Sequence, residues 1–575
     1  MGNRKILKFL RVVLVVLIGA VFTGTPANAK NKVSWRHCSY NNEKKTELQI
    51  LAINDFHGQI SAGQKVAGRP VGSAPVLASY LREASAENPG NTFIVQAGDL
   101  VGASPPSSAL LQDEPTIMFF NMLGNHFCST RFKKSPLCNL IGVPGNHEFD
   151  EGYDEMMRLI NGGNHENGPF LQAPYRGAAF PYLCANVVDK NNGRTILPPF
   201  VIKWVDGIPV AFIGAVLEET PTIVTASGVA NLSFLDEAES INKYVRFLRI
   251  FGIRTFIAVI HQGGYQDSYD GETDPEADDL AGTITGILDN LDDEIDVVVT
   301  GHAHGFTNEL YRKSNGKTYL VTQAWSKSTA YAGIDIEISR RSRDVVGMSS
   351  EIVTTWADEG PGLTPVPEIE QLVSDAEEMV GPIIDEYIAE AAIDITRDQS
   401  SAGESALGNL VADAQRIIME TDFAFMNPGG IRADIEAGVV TWGELYTVQP
   451  FNNYLVTMEM TGQQIYDLLN QQWAGQPYTR FLQISGLKYT WDASLPENDR
   501  IVEVTKADGT LLDLEAIYTV TANNFLADGG DNFTVFRDAL NKVTGPIDLD
   551  ALIYYLQGIT QPFSAEIEGR INMLN

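Results

Sequence analysis

Positive charge is scarce in this chain. Its 575 residues carry 41 Lys and Arg against 73 Asp and Glu, a formal net charge of −32. A surface with that excess of carboxylate repels phosphate backbones, which excludes broad binding to a nucleic acid polymer. A small anionic substrate must then be met locally, by metal ions or by a few placed arginines. Cysteine is sparse too, with Cys38, Cys128, Cys138 and Cys184 alone, and none in CxxC spacing, which argues against a thiolate metal centre. No period of 20 to 50 residues recurs, so a solenoid or a propeller is excluded. After the N-terminus there is no run of the about 18 to 20 apolar residues that a spanning helix needs. What remains is globular: 44% hydrophobic, 20% charged, mean hydropathy −0.07. The length exceeds what one hydrophobic core usually serves, so two or more domains are expected.

The N-terminus has its own pattern. Arg4, Lys5, Lys8 and Arg11 precede the apolar run from Val12 to Phe22, and Ala27-Asn28-Ala29 follows. This is the order of a secretory signal peptide, over residues 1–29, cleaved after Ala29. The expected product is secreted or periplasmic, with no stable membrane insertion, and its net charge is −36 once those four basic residues are gone. An even number of cysteines in an exported chain favours disulfides, and four allow three connectivities. The favoured one joins Cys128 to Cys138, which close a short loop, and leaves Cys38 with Cys184.

From about Glu47 to Val353, short β-branched runs alternate with helical or loop segments, the pattern of an α/β sheet. Examples are Leu48 to Ile53, Thr92 to Gln96, Leu140 to Val143, Thr255 to Ile260 and Val297 to Thr300. A break rich in Pro and Gly, Gly360 to Pro367, leads into Glu368 to Ala391, where Ile369, Leu372, Ala376, Met379, Ile383 and Ile388 keep roughly helical spacing. A second α/β unit follows. The expected division is a catalytic domain over 46–355, a linker and hinge helix over 356–392 and a substrate-binding domain over 393–575. The acidic stretch Asp267 to Asp279 lacks EF-hand spacing and reads as a solvated loop.

Five of only eight histidines fall directly after those apolar runs or a few residues on. Asp55-Phe56-His57 follows the first, Gly98-Asp99 the second and Gly145-Asn146-His147-Glu148-Phe149-Asp150 the third. His261 follows the fourth, and Gly301-His302-Ala303-His304 the fifth. In open α/β sheets the ligand crevice lies outside the carboxyl ends of the strands, so five such ends can converge on one site. Residues two apart leave a strand end on the same face, and a carboxylate with an imidazole there can share one cation. His37, His126 and His165 lack this setting.

That ordered set resembles the calcineurin-like metallophosphoesterases. Three later blocks resemble the C-terminal domain of the 5′-nucleotidase family: Asn427-Pro428-Gly429-Gly430-Ile431-Arg432, Gln449-Pro450-Phe451-Asn452-Asn453, and Phe525-Leu526-Ala527-Asp528-Gly529-Gly530-Asp531. The likeness spans nearly all of residues 47 to 575, in the order that bacterial 5′-nucleotidase/UDP-sugar hydrolases and ecto-5′-nucleotidases show. It implies an α/β fold: a four-layer metallophosphoesterase β-sandwich flanked by helices, joined by a helix to a second α/β domain.

The resemblance also implies roles. One divalent metal ion (Zn, Mn, Fe or Co) would be held by Asp55, His57, Asp99 and His304, and a second by Asp99, Asn146, His261 and His302, with Asp99 bridging. His147 would lie near the leaving group and Asp150 would orient its imidazole. Phe451 and Phe525 match the aromatic pair that sandwiches a nucleobase, Asp531 matches a residue that hydrogen-bonds ribose hydroxyls, and Asn427, Gly430 and Arg432 match a segment that reaches ribose or phosphate. Two departures stand out. His304 occupies a position where many 5′-nucleotidases carry Asn or Gln, and Gly403 stands where the family often has Arg. Domain rotation about the linker is expected.

The expected activity is hydrolysis of nucleoside 5′-monophosphates, extending to UDP-sugars or dinucleotides. The alternatives are a 2′,3′-cyclic-nucleotide 2′-phosphodiesterase/3′-nucleotidase, a thiosulfohydrolase disfavoured by the intact Phe451 and Phe525 pair, and, from another class, a surface binding or adhesion protein that has lost catalysis. The last would be signalled by a missing ligand, and none is missing.

Overall fold

A computed structural model describes residues 44–133, 135–269 and 271–574. The proposed leader, His37 and Cys38 lie outside the described residues. Two sheets face each other in the first half. One has the strand order Val345–Thr354, Ala330–Ser339, Lys45–Ile53, Thr92–Ala97, Leu140–Val143, and the other Phe306–Arg312, Thr318–Ala324, Val297–Thr300, Thr255–His261, Ile208–Val216, Phe200–Val205. The runs Lys45–Ile53, Thr92–Ala97 and Leu140–Val143 are parallel, and so are Ile208–Val216, Thr255–His261, Val297–Thr300 and Thr318–Ala324. Parallel strands covered on both faces have no solvent side, which is why they read as unbroken apolar runs.

Three cores result. Leu48, Ile50, Val95, Ile141, Phe212, Val259 and Val297 pack between the two sheets. Outside the first sheet, Leu51, Ile53 and Leu140 pack with Leu77 and Phe120 of the helices Ala74–Ser85 and Glu114–Leu123. Outside the second, Phe256, Ala258 and Val298 pack with Ile241, Val245 and Leu288 of Glu237–Arg249 and Ile284–Asn290. Helix, sheet, sheet, helix: these are the four layers expected.

The linker differs from expectation in one respect. Its helix is Pro367–Ile384, and Tyr387–Ala391 is a strand paired antiparallel with Gly438–Thr441. Ile369, Leu372, Val373, Ala376 and Val380 are its buried stripe and belong to the same core as Leu77 and Phe120. Met379 and Ile383, each 46% exposed, lie off that stripe. Ile388 is buried by the strand, not by helical phase. The helix is thus docked on the first half of the chain.

The second half holds a mixed sheet, Gln483–Ser485, Phe423–Met426, Ile517–Asn523, Tyr454–Thr461, Leu540–Ile547, beside a smaller sheet of Ile501–Lys506, Leu487–Trp491 and Ile571–Met573. Helices Ala406–Ile418 and Asp548–Gly558 bury Leu410, Val411, Leu552 and Leu556 on it. Ala109 and Leu110 of the first half pack against this core, so the halves touch beside the site.

Cys128 and Cys138 form a disulfide. Cys184 is buried with no disulfide partner among the described residues, and its pairing with Cys38 falls outside them.

Candidate active site

All five strand ends open on one place. Asp55 and His57 follow Lys45–Ile53, Asp99 follows Thr92–Ala97, Asn146 and His147 follow Leu140–Val143, His261 ends its own strand, and His302 and His304 follow Val297–Thr300. The backbone here is strained. Asp55 (φ 50°), His57 (47°), Asp99 (50°), His302 (72°) and His304 (52°) all sit in the left-handed region. That region is unfavourable for residues with a Cβ and is retained mostly where function demands it. Packing is correspondingly tight: a Cβ on Gly145 would lie 2.1 Å from Asp99 Oδ1, so only glycine admits the Asp99 carboxylate there.

Three groups have ligand atoms within 4.8 Å of one another: Asp55/His57/His304, Asp99/His261/His302, and between these two His57/Asp99/His147, which shares a member with each. His57 Nε2 lies 2.9 Å from His304 Nε2, and His304 Nε2 lies 3.5 Å from Asp55 Oδ1. Asp99 Oδ2 lies 3.0 Å from His261 Nε2 and 3.8 Å from His57 Nε2, so this carboxylate faces both groups. Asn146 Oδ1 lies 3.0 Å from His302 Nδ1, which adds the side chain expected beside the second group.

The donor set fits divalent cations. His57 Nδ1 is 2.8 Å from Gly102 O and His261 Nδ1 is 2.7 Å from Ala97 O. A carbonyl can only accept, so the proton sits on Nδ1, and in the neutral ring Nε2 presents its lone pair inward. His261 Nε2 is buried without an aligned hydrogen bond despite its approach to Asp99. Burial holds His57 and His304 well below the usual histidine range, helped at His57 by the His304 imidazole and at His304 by the Arg432 guanidinium; His302 is lowered to about 3 by burial and by His261. Neutral imidazoles are what a cation requires. Burial pushes Asp55 up to about 7, whereas His261, His147 and His57 outweigh burial and hold Asp99 low. For His261, Asp99 outweighs burial and raises it to about 9.

His147 belongs with these groups and has a partner of its own. Its Nδ1 lies 2.6 Å from Asp150 Oδ2, and against the effect of burial Asp150 and Asp99 raise its pKa, favouring imidazolium. Its backbone N–H donates to Asp99 Oδ1 at 2.9 Å, tying the two loops.

A cavity of about 180 Å³ extends from Asn146, His147, Asp150 and His302 to the second half of the chain, where Asn427, Gly430, Arg432, Phe451, Phe525 and Asp531 line it. Every C-terminal residue singled out from sequence therefore reaches one space. The Phe451 ring stacks on His147 at 5.8 Å with planes 12° apart, and the Arg432 guanidinium lies 5.9 Å from the Phe451 centroid. Asn427 Nδ2 donates to Asp531 Oδ2 at 3.0 Å and its Oδ1 accepts from Asn523 Nδ2 at 3.0 Å, so this amide holds Asp531 in place.

The calcineurin-like phosphoesterase model matches residues 48–306, and the model of the 5′-nucleotidase C-terminal domain matches residues 383–538. The cell wall protein Lmo0130 of Listeria monocytogenes is 34% identical over 97% of this chain and 72% of its own length. The chain belongs to the 5′-nucleotidase family. A 5′-nucleotidase precursor from Thermus thermophilus shares the fold with a TM-score of 0.75 at 27% identity, covering 92% of this chain and 99% of that one. The endonuclease YhcR of Bacillus subtilis is 36% identical over 92% of this chain, which spans only 41% of that relative's length. As a member of this family the chain is a metallophosphoesterase-type hydrolase, a fold that implies divalent metal ions. Among the described residues no helix is long and apolar enough to cross a membrane.

Two parts of this 5′-nucleotidase site carry no sequence signal strong enough to single them out. Glu148 lies inside the Gly-Asn-His-Glu block, yet its work is structural: Oε1 accepts from Leu100 N at 2.9 Å, and Oε2 accepts from Asp99 N at 3.0 Å and from Gly145 N. Burial and the Asp99 charge push its carboxyl up to about 8 against those N–H groups. Arg480 and Tyr478 also line the cavity. The clue to them is a lone base just before the segment Phe481-Leu482-Gln483-Ile484 in a chain short of bases. Phe481 also accounts for Gly403 (φ 103°), since a Cβ there would meet the Phe481 ring at 2.3 Å.

Proposed function

We propose that this is an exported 5′-nucleotidase that hydrolyses nucleoside 5′-monophosphates to nucleoside and phosphate, with UDP-sugars and dinucleotides as further substrates. The observation that carries the reading is the joining of a double ligand group and an aromatic-lined cavity in one continuous space. Asp55, His57, Asp99 and His304 would hold one cation, and Asp99, Asn146, His261 and His302 a second. When bound, the pair supplies positive charge to offset the phosphate and Lewis acidity to activate water.

The rest falls to side chains of this chain. Arg432 pairs with the phosphoryl oxygens at the inner end of the cavity. His147, kept protonated by Asp150, offers Nε2–H to the phosphoryl group or the leaving O5′. Phe451 takes the base on the face turned away from His147, Phe525 covers it, and Asp531 accepts from the ribose hydroxyls. The apolar leader over residues 1–29 supports export, and the wall location in the name of the Listeria relative agrees with it. The expected outcome is phosphate release from AMP that EDTA abolishes and that Asp99→Asn eliminates. Wild-type turnover indifferent to chelator would refute the reading. A panel of 5′-mono-, 2′,3′-cyclic and sugar nucleotides separates it from the cyclic phosphodiesterase alternative.

A further inference from the structure

Arg480 is a buried cation with unspent hydrogen-bonding capacity. It is 8% exposed in a chain that carries few bases. Its Nη1 donates to Gln476 Oε1 at 2.6 Å and its Nη2 to Tyr478 OH at 3.1 Å, while Nε stays 3.7 Å from Asp531 Oδ1, beyond hydrogen-bond length. A guanidinium has five N–H donors and no acceptor, so one N–H on each terminal nitrogen is left without an acceptor among the described residues. Burying a charge is costly unless its donors are met.

The group is also held rigidly. Gln476 Nε2 donates to Gln471 O at 2.9 Å and to Asp531 O at 2.7 Å, which fixes the oxygen that Arg480 uses. The guanidinium carbon lies 4.4 Å from the Tyr478 ring centroid, and Arg480 N donates to Gln472 O at 3.0 Å. Such anchoring on a residue that lines the same cavity as Phe451 and Phe525 is the arrangement of a reading head. Its place is the Asp531 end, next to the loop that carries Phe525, whereas Arg432 lies over Phe451, the ring that stacks on His147 at the inner end.

We infer that Arg480 makes this clamp selective for 6-oxopurines, guanine and hypoxanthine, over adenine. The inference rests on the nucleotidase reading above and names the preferred base. A fork of two N–H donors matches the O6 and N7 acceptors of a 6-oxopurine, whereas adenine presents an amino donor at the same position, opposing one prong.

The test compares kcat/KM for GMP, IMP and AMP, with one metal throughout, in the wild type, Arg480→Met and Arg480→Lys. The wild type should favour GMP and IMP over AMP by about tenfold or more, the scale of one bidentate base contact. Methionine should bring the ratio within about threefold, mainly through KM for GMP, and lysine, which keeps the charge without the fork, should lose most of the preference. Calorimetric binding of guanosine and adenosine to the chelated wild type and Arg480→Met proteins reads the same contact without phosphate, metal or turnover. Thermal melting checks that the variants fold; the wild-type ratio and nucleoside binding stay decisive if one does not. No base preference in the wild type, an equal loss for GMP and AMP in Arg480→Met (a phosphate contact), or guanosine binding unaffected by that substitution would each overturn it. Should no monophosphate be hydrolysed while guanosine still binds more tightly through Arg480, the reaction assignment falls and the base inference stands. Turnover without base preference gives the reverse.

Discussion

Replacing Glu148 by Ala should loosen both of the loops that carry Asp99 and Asn146. The Glu148 carboxyl accepts from the backbone N–H groups of Asp99, Leu100 and Gly145, and it does so whether charged or neutral, since both oxygens retain lone pairs. Alanine leaves three buried donors unmet. Each unmet buried donor costs about 1–3 kcal/mol; the vacated space admits water that can serve one of them, and the remaining two, at the low end of that range because the loops can shift towards that water, give an expected loss of about 2–3 kcal/mol. At 1.4 kcal/mol per tenfold, hydrogen exchange at the amides of Asp99, Leu100 and Gly145 in the chelated protein should quicken by about 30- to 150-fold. Because Asp99 faces both ligand groups, metal affinity measured by competition with a chromophoric chelator should fall about 10- to 100-fold, the usual consequence of losing a partner that orients ligands. Glu148→Gln keeps one acceptor oxygen and should fall between. Exchange and affinity both at wild-type levels in the alanine variant would show that the ligand loops hold themselves and that the argument is wrong.

Phe451→Ala should raise KM for AMP by about tenfold, the worth of one stacked base, and by much less for p-nitrophenyl phosphate, which has no base; equal effects in steady-state assays would argue against stacking. Asp296 offers a stability test away from the site. Burial lifts its carboxyl to about 7, against Lys317 at 3.6 Å and the Phe256 N–H. The folded chain keeps a proton there that the unfolded chain, near 3.8, gives up, so the contribution is present below about pH 4 and lost as pH rises through 7. Asp296→Asn removes that slope: in denaturant titrations the variant should gain on the wild type between pH 4 and 8 by no more than about 4 kcal/mol, and a constant difference would refute the shift.

What the sequence reveals, and what it hides, follows from how local each signal is. The strands ending in Asp55, Asp99, Asn146, His261 and His302 are legible because a strand buried on both faces is an unbroken apolar run, and its polar terminator then stands out. That three of these ends come from one sheet and two from another is not legible, since pairing across the sandwich is non-local. The linker shows the limit of period counting. Apolar residues continue past Ile384 at Ile388, but the period changes from helix to strand within four residues, and Met379 and Ile383 match the count while lying on the exposed side. Glu148 and Arg480 escape for a different reason: the Asp99 and Leu100 N–H groups from which Glu148 accepts, and the Phe451 and Phe525 rings whose cavity Arg480 lines, belong to other segments, and nothing in their own neighbourhood announces those meetings.

The scarcity of positive charge and the strained backbone are two sides of one solution. A chain of −32 cannot attract a phosphate by its general field, so attraction has to be concentrated where it is used. Cations held by Asp55, Asp99 and their histidines would do this at one end of the cavity, with Arg432 beside them, while Arg480 lies at the Asp531 end, away from the phosphate. Holding so many candidate ligand atoms close together requires backbone that turns sharply at the strand ends, and five of the residues that carry them accept the left-handed region to provide it. Such strain persists only where the surroundings over-determine it. Here they do: His302 N donates to both oxygens of Asp55, Lys327 N donates to Asp55 O, His57 N to Asp99 O and His147 N to Asp99 Oδ1, so the strained residues are tied to other members of the site. The geometry is then set by the protein before any ion arrives. A site made this way keeps its shape when one ligand is lost, so Asp99→Asn should abolish catalysis while leaving the neighbouring loops in place.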